Sequence, residues 1–477
     1  MSSIAAVVCG KAEAPPGTAV FVGSRDWAVR TCQGLVFLPL FALILLPEYV
    51  QGLGDPETKS LLYRMTIGPW RVVDLLLLGL IGTHAIVWSS SRRLRIEFPR
   101  RLVLPAIGFA MAIALALAHG ALSGGVNLFF DWRALALGAG LYGVFAAWLQ
   151  SAKAVDWAVR LFAGFMAARM AAIFAEYLWG QGDVIVGKRI PVFDGPTLSA
   201  MVFAGMLAVC LADCSRGWKA AAWLGAGGAT YLLVVLCFRR TFWAELGVAT
   251  LTLLLLDRRG RAKRLLPVVV AVAVSAVASG SSFYERVQSM EITRSDTHFS
   301  EGNRDHVGEL LDAWEQARAH PVAGIGLGRS FPTLRIQGWK EESVMVHNAP
   351  LHVWLKYGLL GVVCYVWFHV AMLLWLRRVR WCESGSGEMS RRTPGRVIPR
   401  KWARLRPWSR PRPEDGSRAS TLGAFSSAAL AYLAAQFVVS LGFAPWPYSS
   451  VQSTTLIVFI LAVAVRGAQI WNCRPSR

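Results

Sequence analysis

Apolar stretches of about twenty residues recur along this 477-residue chain and constrain its fold more than any other feature. A helix needs about 20 apolar residues to cross the hydrocarbon core of a bilayer, which is about 30 Å thick. We therefore predict an all-α polytopic membrane protein with about twelve transmembrane helices and a large helical outer loop between spans nine and ten. The predicted spans are residues 34–50, 72–90, 102–120, 132–150, 154–178, 193–212, 219–237, 241–256, 264–281, 351–376, 421–442 and 450–467.

Charged residues are scarce but strongly biased towards the basic ones. They make up 17% of the chain, against 55% hydrophobic residues, yet the formal net charge is +21. In a soluble protein this surplus would indicate nucleic-acid binding, but here the basic residues lie in loops between apolar stretches, which favours a role in membrane orientation. Segments 91–101, 257–264 and 377–418 fall on one side, which we predict to be cytoplasmic together with both termini. The last segment is interpreted as an anchor to anionic lipid headgroups, and no nucleic-acid partner is predicted.

These boundaries divide the chain into alternating membrane and loop segments. We predict a cytoplasmic segment at 1–33, spans one to nine within 34–281, the outer loop at 282–350, the tenth span at 351–376, a basic cytoplasmic loop at 377–420, spans eleven and twelve within 421–467, and a cytoplasmic tail at 468–477. The eight cysteines lie in spans or on the basic side, so no disulfide framework is predicted.

The outer loop contains one amphipathic helix. Asn303 is a suitable N-cap, and Pro321 predicts where the helix stops. Apolar residues at helical spacing predict one face that packs onto the membrane domain: Val307, Leu310, Leu311, Trp314 and Ala317. The glycine-rich stretch GIGLG (324–328) follows, and we predict a tight turn in which the backbone approaches its neighbours closely.

Several arginines fall on the outer side, against the usual charge bias. Arg239 and Arg240 lie between spans seven and eight, Arg189 precedes the sixth span, and Arg304 opens the amphipathic helix. Each could be an interfacial arginine that reaches towards water. Guanidinium groups, however, bind phosphate oxygens in bidentate fashion and keep their charge. The four together favour a site for a lipid-linked pyrophosphate.

His347 lies where the outer loop re-enters the membrane. Asn348 and Pro350 are typical of a helix start, so His347 is predicted beside a helix N-terminus. It could be a capping or interfacial histidine, but as a neutral imidazole it could also serve as a general base. His352 lies about 140° away around a helix, which makes the pair a poor metal chelate. The chain contains no Asp-x-Asp motif, and no metal or other cofactor is predicted.

Four motifs, in this order along the chain, carry a resemblance to a known family: RIPVFDGPTLSA (189–200), FRRTFWAE (238–245), RDHVGELLDAWEQARAHPVAGIGLGRSF (304–331) and HNAPLHVWLKYGLLG (347–361). Together they resemble the O-antigen ligase family of bacterial inner-membrane glycosyltransferases, over roughly residues 185–375. That family shares a domain with O-antigen polymerases and protein O-oligosaccharyltransferases.

The resemblance implies transfer of O-antigen polysaccharide from undecaprenyl pyrophosphate to a sugar hydroxyl of lipid A–core, on the periplasmic face of the inner membrane. It implies an inverting reaction without metal, in which His347 is the base and the arginines bind the pyrophosphate. The outer loop would then be periplasmic, and membrane lipids would be the remaining partners.

Two kinds of alternative stay open at this stage. An O-antigen polymerase or a protein O-oligosaccharyltransferase would use the same donor with a different acceptor. A transporter or flippase would instead use ionisable residues inside the spans, such as His84, Arg169 and Glu176. These residues could equally form structural pairs, and the chain shows no repeated halves of the kind many transporters have.

Overall fold

The computed structural model describes residues 65–68, 70–90, 98–180, 183–185, 188–191, 195–256, 261–288, 300–335, 342–343, 345–389, 413–441 and 450–470. Helices dominate the described residues. In chain order they are α1 (Val72–Ser90), α2 (Arg100–Leu122), α3 (Leu128–Trp148), α4 (Ala152–Leu178), α5 (Gly195–Cys214), α6 (Trp218–Leu236), α7 (Arg240–Leu256), α8 (Arg261–Ser279), α9 (Ser281–Gln288), α10 (Ser300–Ala319), α11 (Ala349–Met389), α12 (Pro413–Ser440) and α13 (Val451–Ile470).

Strands are short and occur only as two-stranded antiparallel pairs in the described residues. They are β1 (Thr66–Ile67) with β2 (Trp70–Arg71), β3 (Asp183–Ile185) with β4 (Lys188–Ile190), and β5 (Phe331–Pro332) with β6 (Glu342–Ser343). The pair β1–β2 directly precedes α1, and the other two pairs lie between consecutive helices, so the sheets do not form a layer of their own.

Eight helices in the described part of the chain are long and apolar enough to cross a membrane. They lie within Val72–Ser89, Arg100–Leu122, Ala152–Leu178, Gly195–Cys214, Trp218–Leu236, Ala349–Val379, Thr421–Ser440 and Gln452–Gln469. The predicted fold class, an all-α polytopic membrane protein, is confirmed. Each predicted span from 72–90 onwards overlaps a helix. The first predicted span and the segments 1–33, 390–412 and 471–477 lie outside the described residues, and the count of twelve spans stays a prediction.

Three helices form the buried centre of the bundle. Most of α5, α12 and α13 is inaccessible, and their facing surfaces combine small residues with a cluster of phenylalanine rings. Phe203 on α5 contacts Phe425 on α12, and Phe162 on α4 stacks on Phe459 of α13. Within lipid, helices associate mainly through such van der Waals packing and through buried polar contacts.

A buried polar contact ties α5, α7 and α12 together. Ser199 Oγ lies 2.9 Å from Tyr432 Oη, accepts a hydrogen bond from Gln436 Nε2 (2.6 Å) and donates to Glu245 Oε1 (3.4 Å). Ser199 and Glu245 lie close to the starts of their helices, and Gln436 lies close to the end of its own. At 1.5 Å per residue, each is about 6–8 Å from its helix end. The starts of α5 and α7 and the end of α12 therefore lie at one face of the bundle.

The amphipathic helix α10 packs differently from the prediction. It begins at Ser300, so Asn303 lies inside the helix and does not cap it. The most buried apolar residues of its packed face are small, with Ala313 and Ala317 fully buried against Leu355 and its neighbours on α11, and the partly buried Leu310 packs beside them. The prediction is confirmed for Ala317, for the partly buried Leu310 and for Trp314, whose ring lies 5.0 Å from that of Trp354 on α11. It is wrong for Val307 and Leu311, which are 41% and 49% exposed. The small residues are the ones buried because they allow close approach to α11. Two carboxylates on the same side, Glu309 and Asp312, are also buried, and each has a partner of its own.

The stretch 324–328, here called the glycine loop, confirms the predicted close turn. Gly324, Gly326 and Gly328 all have positive φ values of 68–87°. A Cβ on Gly326 would lie 2.6 Å from the backbone nitrogen of Gly120 in α2, and one on Gly328 would lie 2.4 Å from that of Leu128 in α3. Only glycine combines this conformation with such contact.

The glycine loop also interrupts α11. Gly358 leaves the helical conformation (φ 68°, ψ −171°), and this frees carbonyls of the preceding turn. Ile325 and Gly326 donate their amides to the carbonyls of Leu355 (2.6 Å) and Lys356 (3.2 Å). Irregular backbone inside a membrane domain is stable only where its polar groups find such protein partners.

Candidate active site

His347 occupies the entry of α11. Asn348 caps the helix, because its Oδ1 accepts a hydrogen bond from the Leu351 amide at 2.9 Å. The Asn348 side-chain nitrogen donates to the carbonyl of Leu441, just beyond the end of α12, at 3.0 Å. The predicted position of His347 beside a helix N-terminus is thus confirmed, and the residue is fixed relative to both α11 and α12.

A buried carboxylate orients the His347 ring. Nδ1 of His347 lies 2.8 Å from Oε2 of Glu309 on α10, and the His347 backbone amide is 3.4 Å from the same oxygen. The side chain of Glu309 is 1% exposed, whereas that of His347 is 29% exposed. The pair therefore has one member in the protein interior and one that solvent or substrate can reach.

His306 completes a group that we call the histidine–glutamate cluster (His306, Glu309 and His347). Its Nδ1 lies 3.8 Å from Glu309 Oε2, and its ring centroid is 4.7 Å from that of His347. His306 and Glu309 are three residues apart on α10 and so share one helix face. One donor atom from each of the three residues falls within 4.8 Å of the others, so the cluster could hold a metal ion.

The charge state of Glu309 follows from these neighbours. Burial alone would raise the pKa of Glu309, but the adjacent His306 ring and the hydrogen bonds from His347 outweigh it and lower the pKa to about 2. The carboxylate is then ionised at neutral pH. In the tautomer of His347 that carries its proton on Nδ1, the ring donates that proton to this carboxylate. Nε2, on the far side of the imidazole ring, is left as the proton acceptor.

Arg239 and Arg240 lie at the start of α7, and both are half-buried. The turn before them is tight, because Phe238 adopts a positive φ of 52°, which is rare for a residue with a side chain. The indole of Trp243 holds this turn through a hydrogen bond to the Val235 carbonyl at 3.0 Å and a ring contact with Phe238. The start of α7 shares its bundle face with the end of α12, to which Asn348 is bonded, so both arginines lie on the face that carries His347.

The other two predicted arginines are located only through their backbone. Arg189 lies in β4, six residues before α5 begins, and Arg304 lies in α10, five residues before Glu309. Their side chains lie outside the described part of the structure. Of the predicted site residues, His347 has a described side-chain partner in Glu309. Its role as a base and the roles of all four arginines stay predictions.

Glu309 and His306 are not among the site residues predicted from the sequence. The available signal was the His-x-x-Glu spacing on a helix already predicted to be amphipathic, which places both side chains on one face. The transporter alternative loses some of its motivation, because Arg169 lies 3.9 Å from Glu176 on the same helix and His84 Nδ1 lies 3.1 Å from the carbonyl of Leu80. Both are contacts within a single helix.

Comparison with known families supports the resemblance stated above. Residues 220–366 match the family model described as O-antigen ligase. The match covers α6 to the first half of α11, including Arg239, Arg240, Arg304 and the whole histidine–glutamate cluster, whereas Arg189 precedes it. No curated protein matches the chain. The protein is a polytopic membrane protein in which residues 220–366 match the family model described as O-antigen ligase.

Proposed function

We propose that the protein transfers O-antigen polysaccharide from undecaprenyl pyrophosphate to a sugar hydroxyl of lipid A–core, on the periplasmic face of the bacterial inner membrane. The observation that carries this proposal is the His347–Glu309 pair, which lies inside the family-matching segment and is partly open to substrate. The donor and the acceptor follow from the family resemblance, and the role of the pair follows from its geometry.

In the proposed reaction, Nε2 of His347 takes the proton from the acceptor hydroxyl. The oxygen then attacks the anomeric carbon while the bond from that carbon to the pyrophosphate oxygen breaks, and the lipid pyrophosphate leaves with the electron pair. The reaction is a single displacement with inversion. Glu309 holds the ring in the tautomer with Nδ1 protonated and stabilises the imidazolium that forms, so we call it a positioning residue. A well-placed general base contributes about 10²- to 10⁴-fold in rate.

The departing pyrophosphate needs positive charge. We propose that Arg239 and Arg240 supply this charge from the start of α7, together with Arg189 and Arg304. We call these four arginines the arginine clamp. Arginine suits this task because its planar guanidinium group pairs with two phosphate oxygens at once and remains charged. Donors placed where charge develops in the transition state are among the largest contributors to enzymatic rates.

The test is a transfer assay with purified protein, lipid-linked polysaccharide as donor and lipid A–core as acceptor. His347→Ala and His347→Gln are expected to lower the rate about 10²- to 10⁴-fold. His320→Ala is the matched control, because His320 is an exposed histidine just beyond α10 and outside the cluster. Near wild-type transfer by both His347 variants would reject the assignment of His347 as the general base.

Parallel reactions test the acceptor. A second lipid-linked glycan, or a peptide with serine and threonine, replaces lipid A–core under the same conditions. Faster transfer to either one than to lipid A–core would assign the protein to the polymerase or protein-glycosylating branch instead.

The clamp is tested by donor binding. Arg240→Ala is expected to weaken binding of the lipid-linked donor, whereas Arg318→Ala, which removes an exposed arginine from the last turn of α10, is not. Equal donor affinity in wild type and Arg240→Ala would contradict the clamp.

A further inference from the structure

The histidine–glutamate cluster contains two buried polar atoms that its hydrogen bonds do not satisfy. Oε1 of Glu309 and Nδ1 of His306 have no hydrogen-bond partner among the described residues. Buried polar atoms in native proteins are nearly always paired, so an unpaired acceptor beside an unpaired ring nitrogen needs an explanation. Both atoms belong to groups that bind metal ions.

The donor set is the one that zinc prefers. Two imidazoles and one carboxylate form a common three-residue zinc site, in which the fourth position of the tetrahedron stays open. Zinc–ligand bonds of about 2.0–2.1 Å place the donor atoms of a tetrahedron roughly 3.3 Å apart. The separations from Glu309 Oε2 are 2.8 Å to His347 Nδ1 and 3.8 Å to His306 Nδ1, so shifts of about half an ångström bring these two pairs to that value. All three residues have donor atoms within 4.8 Å of one another.

The backbone fixes the cluster from two sides. His306 and Glu309 are held at adjacent positions of one face of α10, and His347 is held by the N-cap of α11. Glu309 is buried, whereas the side chain of His306 is 45% exposed. The His306 side chain therefore gives the cluster one side that faces solvent.

We propose that the cluster binds one Zn²⁺ ion through His306 Nδ1, the Glu309 carboxylate and His347 Nδ1, and that the bound ion blocks transfer. This inference rests on the proposed function for its second half. The ion takes the position of the proton on Nδ1 of His347. A neutral imidazole bound to metal through Nδ1 carries its single proton on Nε2, the atom that must accept a proton from the acceptor hydroxyl. The proton moves from one ring nitrogen to the other, and none is gained or lost.

Binding is measured by isothermal titration of ZnCl₂ into detergent-solubilised protein purified without a histidine tag. Wild type is expected to bind one ion with a dissociation constant in the micromolar range or tighter, and MgCl₂ is expected not to bind. His306→Gln is expected to weaken Zn²⁺ binding on the order of 100-fold, because loss of a partner outside the coordination sphere already costs 10- to 100-fold. His320→Gln, the exposed control, is expected to bind as wild type does.

Inhibition is measured in the transfer assay, with each variant's rate in Zn²⁺ divided by its own rate in EDTA. Wild type and His320→Gln are expected to lose most transfer at saturating Zn²⁺, and His306→Gln to retain it. Zinc binding that His306→Gln leaves unchanged, no binding by wild type, or a wild-type rate that falls in EDTA would each overturn the inference. The titration measures Zn²⁺ binding and does not depend on transfer. Absence of transfer by wild type in EDTA would therefore reject the proposed function, and the titration would still decide whether the cluster binds Zn²⁺.

Discussion

Two regions contact the first turns of α11 in opposite ways. In the glycine loop, each of the five backbone amides donates a hydrogen bond. Its amides reach the carbonyls of Leu355 and Lys356, the Leu327 amide reaches the Ala116 carbonyl at 3.0 Å, and the Gly328 amide reaches Asp131 Oδ2 at 2.8 Å. The histidine–glutamate cluster, whose His347 directly precedes the N-cap of α11, leaves Glu309 Oε1 without a hydrogen-bond partner among the described residues.

The difference indicates that the glycine loop is a structural support, whereas the histidine–glutamate cluster is suited to chemistry. The glycine loop, with all five amides bonded, resists change, because a side chain added at any of its glycines meets main-chain atoms. A cluster with unused bonding capacity and an exposed ring can bind, exchange protons and adjust. Changes in the glycine loop should therefore remove the folded protein, whereas changes in the cluster should spare it and remove transfer.

The largest effect is expected from Gly326→Ala. The substitution places a Cβ 2.6 Å from the Gly120 nitrogen in a backbone conformation with φ of 87°. Strain and overpacking together should cost about 2–6 kcal/mol. Thermal unfolding in detergent would show a much lower midpoint or no folded protein. Gly247→Ala is the matched control, because that glycine lies in α7 with open space around its Cβ position. Equal midpoints for the two variants would mean that the glycine loop is not a rigid anchor.

A smaller loss is expected from Lys356→Met. The fully buried ammonium group lies 3.1 Å from Asp131 Oδ2 and also donates to the carbonyl of Arg329. Removal of one partner of a buried ion pair costs about 3–5 kcal/mol, because the other charge stays buried alone.

The double variant Asp131→Asn with Lys356→Met should recover part of this loss, since no buried charge remains and the amide oxygen can still accept from Gly328. Thermal midpoints of the four proteins of this cycle measure the coupling. Additive losses would contradict a direct interaction between the two side chains.

In the cluster, Glu309→Gln should reduce transfer and leave the fold intact. A hydrogen bond to a charged group contributes about 1.5–3 kcal/mol, which corresponds to roughly 10- to 100-fold in rate. We expect the loss in kcat, with an unchanged KM for the donor, because Glu309 contacts the base and not the donor.

Glu309→Asp keeps the charge and should retain more activity than the neutral glutamine, although glutamine matches glutamate in length. A larger loss from aspartate than from glutamine would indicate that Glu309 acts through packing and not through its charge.

Helix positions could be predicted from the sequence because apolar length and composition determine them locally. The predicted span 72–90 coincides with α1. The glycine-rich sequence at 324–328 predicted the tight turn with positive φ values that the structure has there. The packing of α10 could not be predicted in the same way. The spacing of the apolar residues in α10 is compatible with two different buried faces. Whether Leu311 or Ala313 is buried depends on how closely α11 approaches.

The candidate site could also be predicted only where its signal is local in the sequence. His347 could be identified because Asn348 and Pro350 give a local signal for a helix start. Its partner Glu309 is 38 residues away, and contact between them needs the tertiary packing of α10 on α11. The arginine side chains at 189 and 304 lie outside the described residues, so their prediction rests on the motifs alone.

The smallest effect on stability, and the sharpest test of how the two regions are connected, is expected at Asn348. Asn348→Ala removes the N-cap of α11 and should cost about 1 kcal/mol, measured as a small fall in the thermal midpoint. Asn348→Ser keeps a capping oxygen but loses the nitrogen that bonds the Leu441 carbonyl. We therefore expect the serine variant to melt close to wild type and still transfer more slowly, because His347 is then no longer tied to the end of α12, the face that it shares with Arg240. If the serine variant matches wild type in transfer as well, the bond to α12 does not position the base, and the cap alone accounts for any effect of alanine.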